Sequence, residues 1–290
     1  MSINNFGHLE EPFNDYNKSK VVILPVPYDV TRKWIIGWKT NTANGPSAII
    51  TASCNMELYD EELNKTTAEL GIHTSEKLKP KNTPESMHES IYKKSQELIK
   101  DNKFIVMLGG EHSITSGLVK AYKEKYNNLS VLQLDAHTDL REKYEGTKYS
   151  HASVMKRIID MNVKTVQVGI RSQDEDEIQT IKENNLPIFY ARDIVNNDDW
   201  HDKAINELTD NVFITIDLDV FDPSIIPATG TPEPGGLGWY TVIKFLKKVA
   251  EEKNIVGFDV VELSPIKGLH HADFTAAKLI YKLIGYVFNG

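Results

Sequence analysis

The 290 residues contain one cysteine, Cys54. Neither a disulfide framework nor a thiolate metal cluster can be built from it within a single chain. No apolar run approaches the ~20 residues that span a bilayer. Residues 1–6 lack the basic and apolar regions of a secretory signal, so a cytoplasmic protein with no membrane partner is expected. Basic side chains are in the minority, 33 Lys plus Arg against 41 Asp plus Glu. That balance speaks against a nucleic-acid partner and suits a small cationic substrate. Linkers rich in Gly, Ser or Pro, low-complexity tracts and internal repeats are missing too. One domain over residues 1–290 is therefore expected, with residues 1–20 as an N-terminal extension.

What is present is alternation. Residues 21–26, 104–108, 131–134, 165–170, 187–190, 212–216 and 255–261 read as short buried strands, separated by amphipathic helical stretches. Thr83-Pro84-Glu85 has the N-cap, first-turn proline and early acid of a helix start. Residues 274–288 are apolar on nearly every face of a helix and should be buried. Such alternation implies parallel strands, right-handed crossovers and helices on both faces, an α/β fold. Residues 56–78 are too polar and irregular to assign. Trp34 and Trp38 share one polar loop, where a subunit contact and a substrate-pocket wall are both open readings.

The chemistry sits where strands end. In an open parallel sheet, ligands collect beyond the carboxyl ends of the strands. Asp135, His137 and Asp139 follow residues 131–134 at i, i+2 and i+4, a spacing that sends side chains the same way on an extended backbone. His112 follows another strand, Asp217 and Asp219 a third, and Glu262 a fourth, with His151 on a loop within reach. A lone Asp-X-Asp is most often a turn, and Gly109-Gly110 lacks the Lys-Ser/Thr of a phosphate loop. The pair's expected task is to turn the backbone so that His112 enters the crevice. His8, His73, His88 and His201 belong to no such group and read as solvated. His270-His271 stand near the exit of the last strand and are weak candidates for the pocket. Together the clusters form a pattern that surface features would not produce. Asp135, Asp139, Asp217 and Asp219 carry four negative charges, which two divalent ions balance and one does not. Two ions ~3.5–4 Å apart lower the pKa of a water between them toward ~7. Carboxylate-rich ligation with one imidazole per ion favours Mn2+ over Zn2+.

Gly109-Gly-Glu-His-Ser113, Asp135-Ala-His-Thr-Asp139, Ser150-His-Ala-Ser153, Asp217-Leu-Asp-Val-Phe-Asp-Pro223 and Ala228-Thr-Gly-Thr-Pro-Glu-Pro-Gly-Gly236 together resemble the ureohydrolases. These are the arginase and agmatinase family of binuclear manganese enzymes. The resemblance implies an arginase-like three-layer α/β/α fold with a mainly parallel central sheet, and a homo-trimer or homo-hexamer. It implies that one Mn2+ is held by His112, Asp135, Asp139 and Asp217, and the other by His137, Asp135, Asp217 and Asp219. His151 resembles the family's proton shuttle and Glu262 the acid that anchors the guanidinium. With Asp139 they make up the expected catalytic set.

The implied reaction is hydrolysis of agmatine to putrescine and urea through a hydroxide bridging the metals. Aminopropylagmatine, guanidinobutyrate and arginine are the alternatives. Leu140-Arg-Glu-Lys-Tyr-Glu-Gly-Thr-Lys-Tyr149 lacks the Asn and Ser with which arginases hold the substrate's α-groups, and looks more like prokaryotic agmatinases. Asp174 and Glu177 are candidates for the substrate's distal amine, or the start of a solvated helix. The Trp34/Trp38 loop departs from the small residues usual there, which points to altered specificity. A regulatory subunit without activity would have lost a ligand, and all six are kept. A deacetylase-type hydrolase would hold a single ion.

Overall fold

The computed structural model describes residues 5–31, 40–195 and 199–289. The Trp34/Trp38 loop lies outside them. Eight strands make one sheet: β1 (Val21–Val26), β4 (Ile72–Thr74), β5 (Phe104–Gly109), β6 (Leu129–Leu134), β7 (Lys164–Ile170), β8 (Ile188–Tyr190), β9 (Asn211–Asp217) and β10 (Asn254–Val261). Their spatial order is β4-β1-β5-β10-β9-β6-β7-β8, and every neighbouring pair is parallel. A separate antiparallel pair joins β2 (Tyr59–Asp60) to β3 (Lys65–Thr66).

The strands are apolar on both faces because both faces are covered. Val21 and Ile23 enter one apolar core, while Val22, Leu24 and Val26 enter the other. Helices Gly45–Ser53, Trp200–Glu207, Trp239–Glu252 and His271–Asn289 close the first. Helices Pro84–Lys100, Thr115–Lys125 and Val154–Asp160 close the second. This is the three-layer α/β/α arrangement with a parallel central sheet. No helix among the described residues is long and apolar enough to cross a membrane.

The sheet order decides where chemistry can occur. β5 and β6 follow one another along the chain, yet β10 and β9 lie between them in space. The carboxyl ends of β5, β10, β9 and β6 are therefore four consecutive neighbours. Glycine lets the residues after β5 pack on those after β1: a Cβ on Gly110 would lie 1.9 Å from the Tyr28 carbonyl oxygen. That close approach, rather than the turn expected of the Gly pair, is what requires glycine there.

Two expectations about the periphery need correcting. The unassigned 56–78 stretch holds β2, β3 and β4; β4 is a three-residue edge strand paired only with β1, so it needs no apolar run. His88 is buried and packs on Tyr149 with ring centroids 4.7 Å apart. Burial lowers its pKa, which favours the neutral ring. Met87, His88, Ile91, Ser95 and Leu98 form one buried stripe, wider than its apolar members suggest.

The closing helix buries Lys282 together with its apolar residues. The ammonium lies 3.2 and 3.0 Å from the two oxygens of fully buried Asp60, and 3.1 Å from Glu62. Asp60 also accepts from the Glu62 and Leu63 amides. Asp60→Ala would leave a buried charge with half its partners, so a loss of about 3–5 kcal/mol is expected in denaturant unfolding. Burial opposes ionisation of Glu62, but Lys247, Tyr286 and Lys282 outweigh it and hold the carboxyl down at about 2. A depressed carboxyl stabilises the fold above its ordinary value of 4.5, and that contribution fades as pH falls toward 2. Acid unfolding of Glu62→Gln should lack this slope.

Candidate metal centre

Four strand ends deliver the donors. His112 lies just beyond β5, Asp135 directly after β6, Asp217 closes β9, and Glu262 follows β10. His112 Nδ1 is 3.1 Å from Asp135 Oδ2, 3.1 Å from Asp139 Oδ2 and 3.5 Å from Asp217 Oδ2. His137 Nδ1 is 3.0 Å from Asp219 Oδ2 and 3.6 Å from Asp135 Oδ1. Two groups of potential ligands result, His112/Asp135/Asp139 and Asp135/His137/Asp219, with Asp135 common to both. The i, i+2, i+4 spacing does not by itself bring these side chains together. The strand stops at Leu134, and Asp139 has a left-handed φ of 52°. Asp139 consequently swings to His112, while His137 turns to Asp219.

Backbone amides aim the carboxylates. Asp135 Oδ1 accepts from His137 N at 2.6 Å, Asp217 Oδ1 from Asp219 N at 2.9 Å, and Asp219 Oδ1 from Ala136 N at 3.0 Å. One oxygen of each acid is thereby occupied, and Oδ2 faces an imidazole. His112 Nε2 lies 2.8 Å from Thr215 Oγ1, which sets the ring's orientation. Its buried Nδ1 has no hydrogen bond, although three carboxylate oxygens surround it. A ring nitrogen so placed among acids is a donor atom directed at a cation, and the residues fit a metal.

The electrostatics agree. Burial and the charge of Asp135 push Asp139 up to about 7. Burial, then Asp219 and Asp135, raise Asp217 well above a carboxylate's usual value. Burial opposes ionisation of Asp135, but His112 and His137 overcome it and hold this carboxyl low. Against the effect of burial, neighbouring carboxylates hold both imidazoles well above their ordinary value. So many acids stay ionised together only when positive charge is supplied among them.

A cavity of about 240 Å³ opens over this cluster, lined by His137, Asp139, Arg141, Tyr144, His151, Gln173, Asp174, Glu177, Asp217 and Thr231 among others. His151 Nδ1 is 3.0 Å from Thr31 Oγ1, and its ring meets Tyr144 edge-on. Glu262 is not among the described residues that line this cavity; it is 1% exposed, with Oε1 accepting from His112 N at 2.8 Å. His270 and His271 line a different groove, together with Lys267 and Phe274.

Several participants escaped the sequence reading. Buried Gln133 donates to Asp135 Oδ2 at 2.7 Å and to the His137 carbonyl at 3.2 Å. Buried Glu111 accepts from Val30 N and Thr31 N, and through Thr31 fixes the partner of His151. Arg171 donates to the carbonyls of Gly169, Asp219, Glu233 and Pro234, tying the Pro/Gly loop of residues 228–236 to the end of β9. Polar Gln133 and Thr215 inside apolar strands were the available signal. Nothing local marked Glu111 or Arg171.

The arginase family model matches residues 19–285. The chain belongs to the arginase family. It is a ureohydrolase, a hydrolase acting on guanidino compounds. It is 38% identical over 284 residues to the N(1)-aminopropylagmatine ureohydrolase of Synechocystis sp., covering 95% of this chain and 92% of that one. Identity to the agmatinase of Pyrococcus horikoshii is 35% over 283 residues, 96% of this chain and 95% of the relative. The crystal structure of the agmatine ureohydrolase of Thermoplasma volcanium superposes with a TM-score of 0.88 at 28% identity, covering 100% and 96% of the two chains. In this ureohydrolase, then, the His/Asp cluster lies at the strand ends where an open parallel sheet places its chemistry.

Proposed function

We propose that this chain hydrolyses the guanidino group of an agmatine-type amine, releasing urea and a primary amine. N1-aminopropylagmatine stands first and agmatine second, an order reversed from the sequence reading. The observation that carries the reaction class is the pair of His/Asp groups sharing Asp135 beneath one cavity. The Synechocystis relative supports putting aminopropylagmatine first.

Two divalent cations, Mn2+ by donor hardness, would be held by His112, Asp135, Asp139 and Asp217 and by His137, Asp135, Asp217 and Asp219. When bound they supply Lewis-acid polarisation and activate water at neutral pH. The protein's own residues do the rest. Glu262 gives the negative charge that draws the guanidinium down, with Oε1 held by His112 N. His151 on the cavity wall returns a proton to the departing amine, its ring steadied by Thr31 and Tyr144. The whole chain works as one domain, Phe6 and Leu9 of the N-terminal segment sharing the core of the first helical layer. Assembly as a homo-trimer or homo-hexamer completes the proposal and is read by light scattering.

The wall supports a substrate without a carboxylate. Arg141, the cation that would greet one, is 2.7 Å from Asp174 and stacked over Tyr144. Glu233 stands 3.8 Å from His137 Nε2 and adds negative charge near the substrate's path. Urea release should be measured with aminopropylagmatine, agmatine, arginine and 4-guanidinobutyrate in the presence of Mn2+. Each carboxylate-bearing compound is expected to have a kcat/KM roughly 10–100-fold lower, the worth of one lost charged hydrogen bond. Arginine as the best substrate would sink this reading of the wall.

A further inference from the structure

Glu177 stands on the cavity wall, where the sequence offered it as a contact for the substrate's amine. Its hydrogen bonds point elsewhere. It belongs to the first turn of helix Glu175–Glu183 and is 4% exposed. Oε1 accepts from Leu140 N at 2.7 Å. Oε2 accepts from Thr138 Oγ1 at 2.8 Å and from Asp174 N at 2.7 Å. The residues immediately before and after Asp139 therefore end on the same carboxylate.

Asp139 needs such a clamp. Its φ of 52° is a conformation that a residue with a Cβ seldom adopts without outside support. On the other side its carbonyl accepts from Met155 N and Lys156 N at 3.1 and 3.3 Å. The Thr138 carbonyl accepts from Gln167 Nε2 at 2.8 Å. Asp139 is thus held between the start of helix Val154–Asp160 and Glu177, with Oδ2 fixed 3.1 Å from His112 Nδ1. Three of the roughly four acceptor positions of the Glu177 carboxylate are used in this way.

We propose that Glu177 is a positioning residue for Asp139 and serves the metal position built on His112, not the substrate's amine. The inference rests on the two-ion reading above. It is selective, because Asp139 belongs to the His112 group and not to the His137 group. Weakening the clamp should loosen one ion and spare its neighbour.

The test compares wild type, Glu177→Gln and Thr138→Val. Manganese chloride is titrated into metal-free protein by calorimetry, metal content is measured after dialysis, and agmatine kinetics are run across a range of Mn2+. Glutamine accepts through one oxygen only and turns an NH2 toward a backbone amide. One of two Mn2+ dissociation constants is expected to rise roughly 10–100-fold, as for other supporting partners of metal ligands. The other should stay unchanged. High Mn2+ should restore kcat, with KM for agmatine within about twofold of wild type. Thr138→Val removes one bond of the three and should shift the same constant several-fold; it decides the matter if Glu177→Gln fails to fold. A variant that keeps both constants while KM rises tenfold would make Glu177 a substrate contact. A fall in melting temperature of the metal-free protein with both constants intact would reduce it to a structural residue. Either result overturns the proposal. If wild type itself holds a single ion, the two-ion reading falls, and Glu177 is judged on the affinity of that ion.

Discussion

Asp135→Ala is expected to lose both metal ions and essentially all turnover in one step. Asp135 belongs to both ligand groups, with Oδ2 3.1 Å from His112 and Oδ1 3.6 Å from His137. The surrounding acids add to the effect: Asp139, Asp217 and Asp219 would still crowd one buried pocket, now without the carboxylate common to the two His/Asp groups. Metal catalysis of this kind supplies several kcal/mol of transition-state stabilisation. At 1.36 kcal/mol per decade, urea release should fall by at least ~10³-fold. Elemental analysis should find manganese near zero in this variant. Asp139→Ala touches only the His112 group, and should keep about one ion per chain. Two ions retained in Asp135→Ala would remove the basis for a shared site.

His151→Asn should give the opposite separation. His151 lies on the cavity wall, 3.0 Å from Thr31 Oγ1, and is outside both ligand groups. Removing a positioned proton donor lowers turnover by ~10²–10⁴-fold. Metal content and KM for agmatine should match wild type, because neither the carboxylate cluster nor Glu262 is altered. Loss of manganese along with activity would show that His151 supports the metal positions and is not a proton relay.

The local part of this protein was readable from its residues. Parallel strands covered on both faces favour apolar side chains at nearly every position, so β1 and β5 appear as unbroken apolar runs, and β9 and β10 as apolar runs interrupted by buried Thr215 and Asp259. Donor residues collect where those runs stop, and the stops are visible in a linear chain. β4 was not visible, because an edge strand carrying a single buried Ile72 leaves no pattern to read. His88 looked solvated because a polar ring at the rim of an apolar stripe gives no sign of what will cover it.

That His112, Asp135, His137, Asp139, Asp217 and Asp219 stand at or just beyond strand ends was thus legible in the sequence alone, since each position depends on neighbours only a few residues away. Which donor meets which was decided by tertiary structure. β9 and β10, made last, enter between β5 and β6 and bring Asp217 and Asp219 to histidines some eighty to one hundred residues earlier in the chain. The left-handed turn at Asp139, the hold of Glu177 on it, the hold of Glu111 on Thr31 and the grip of Arg171 on the Pro/Gly loop have the same origin. Contacts closed over such distances depend on how the sheet is ordered, and no local spacing encodes that order.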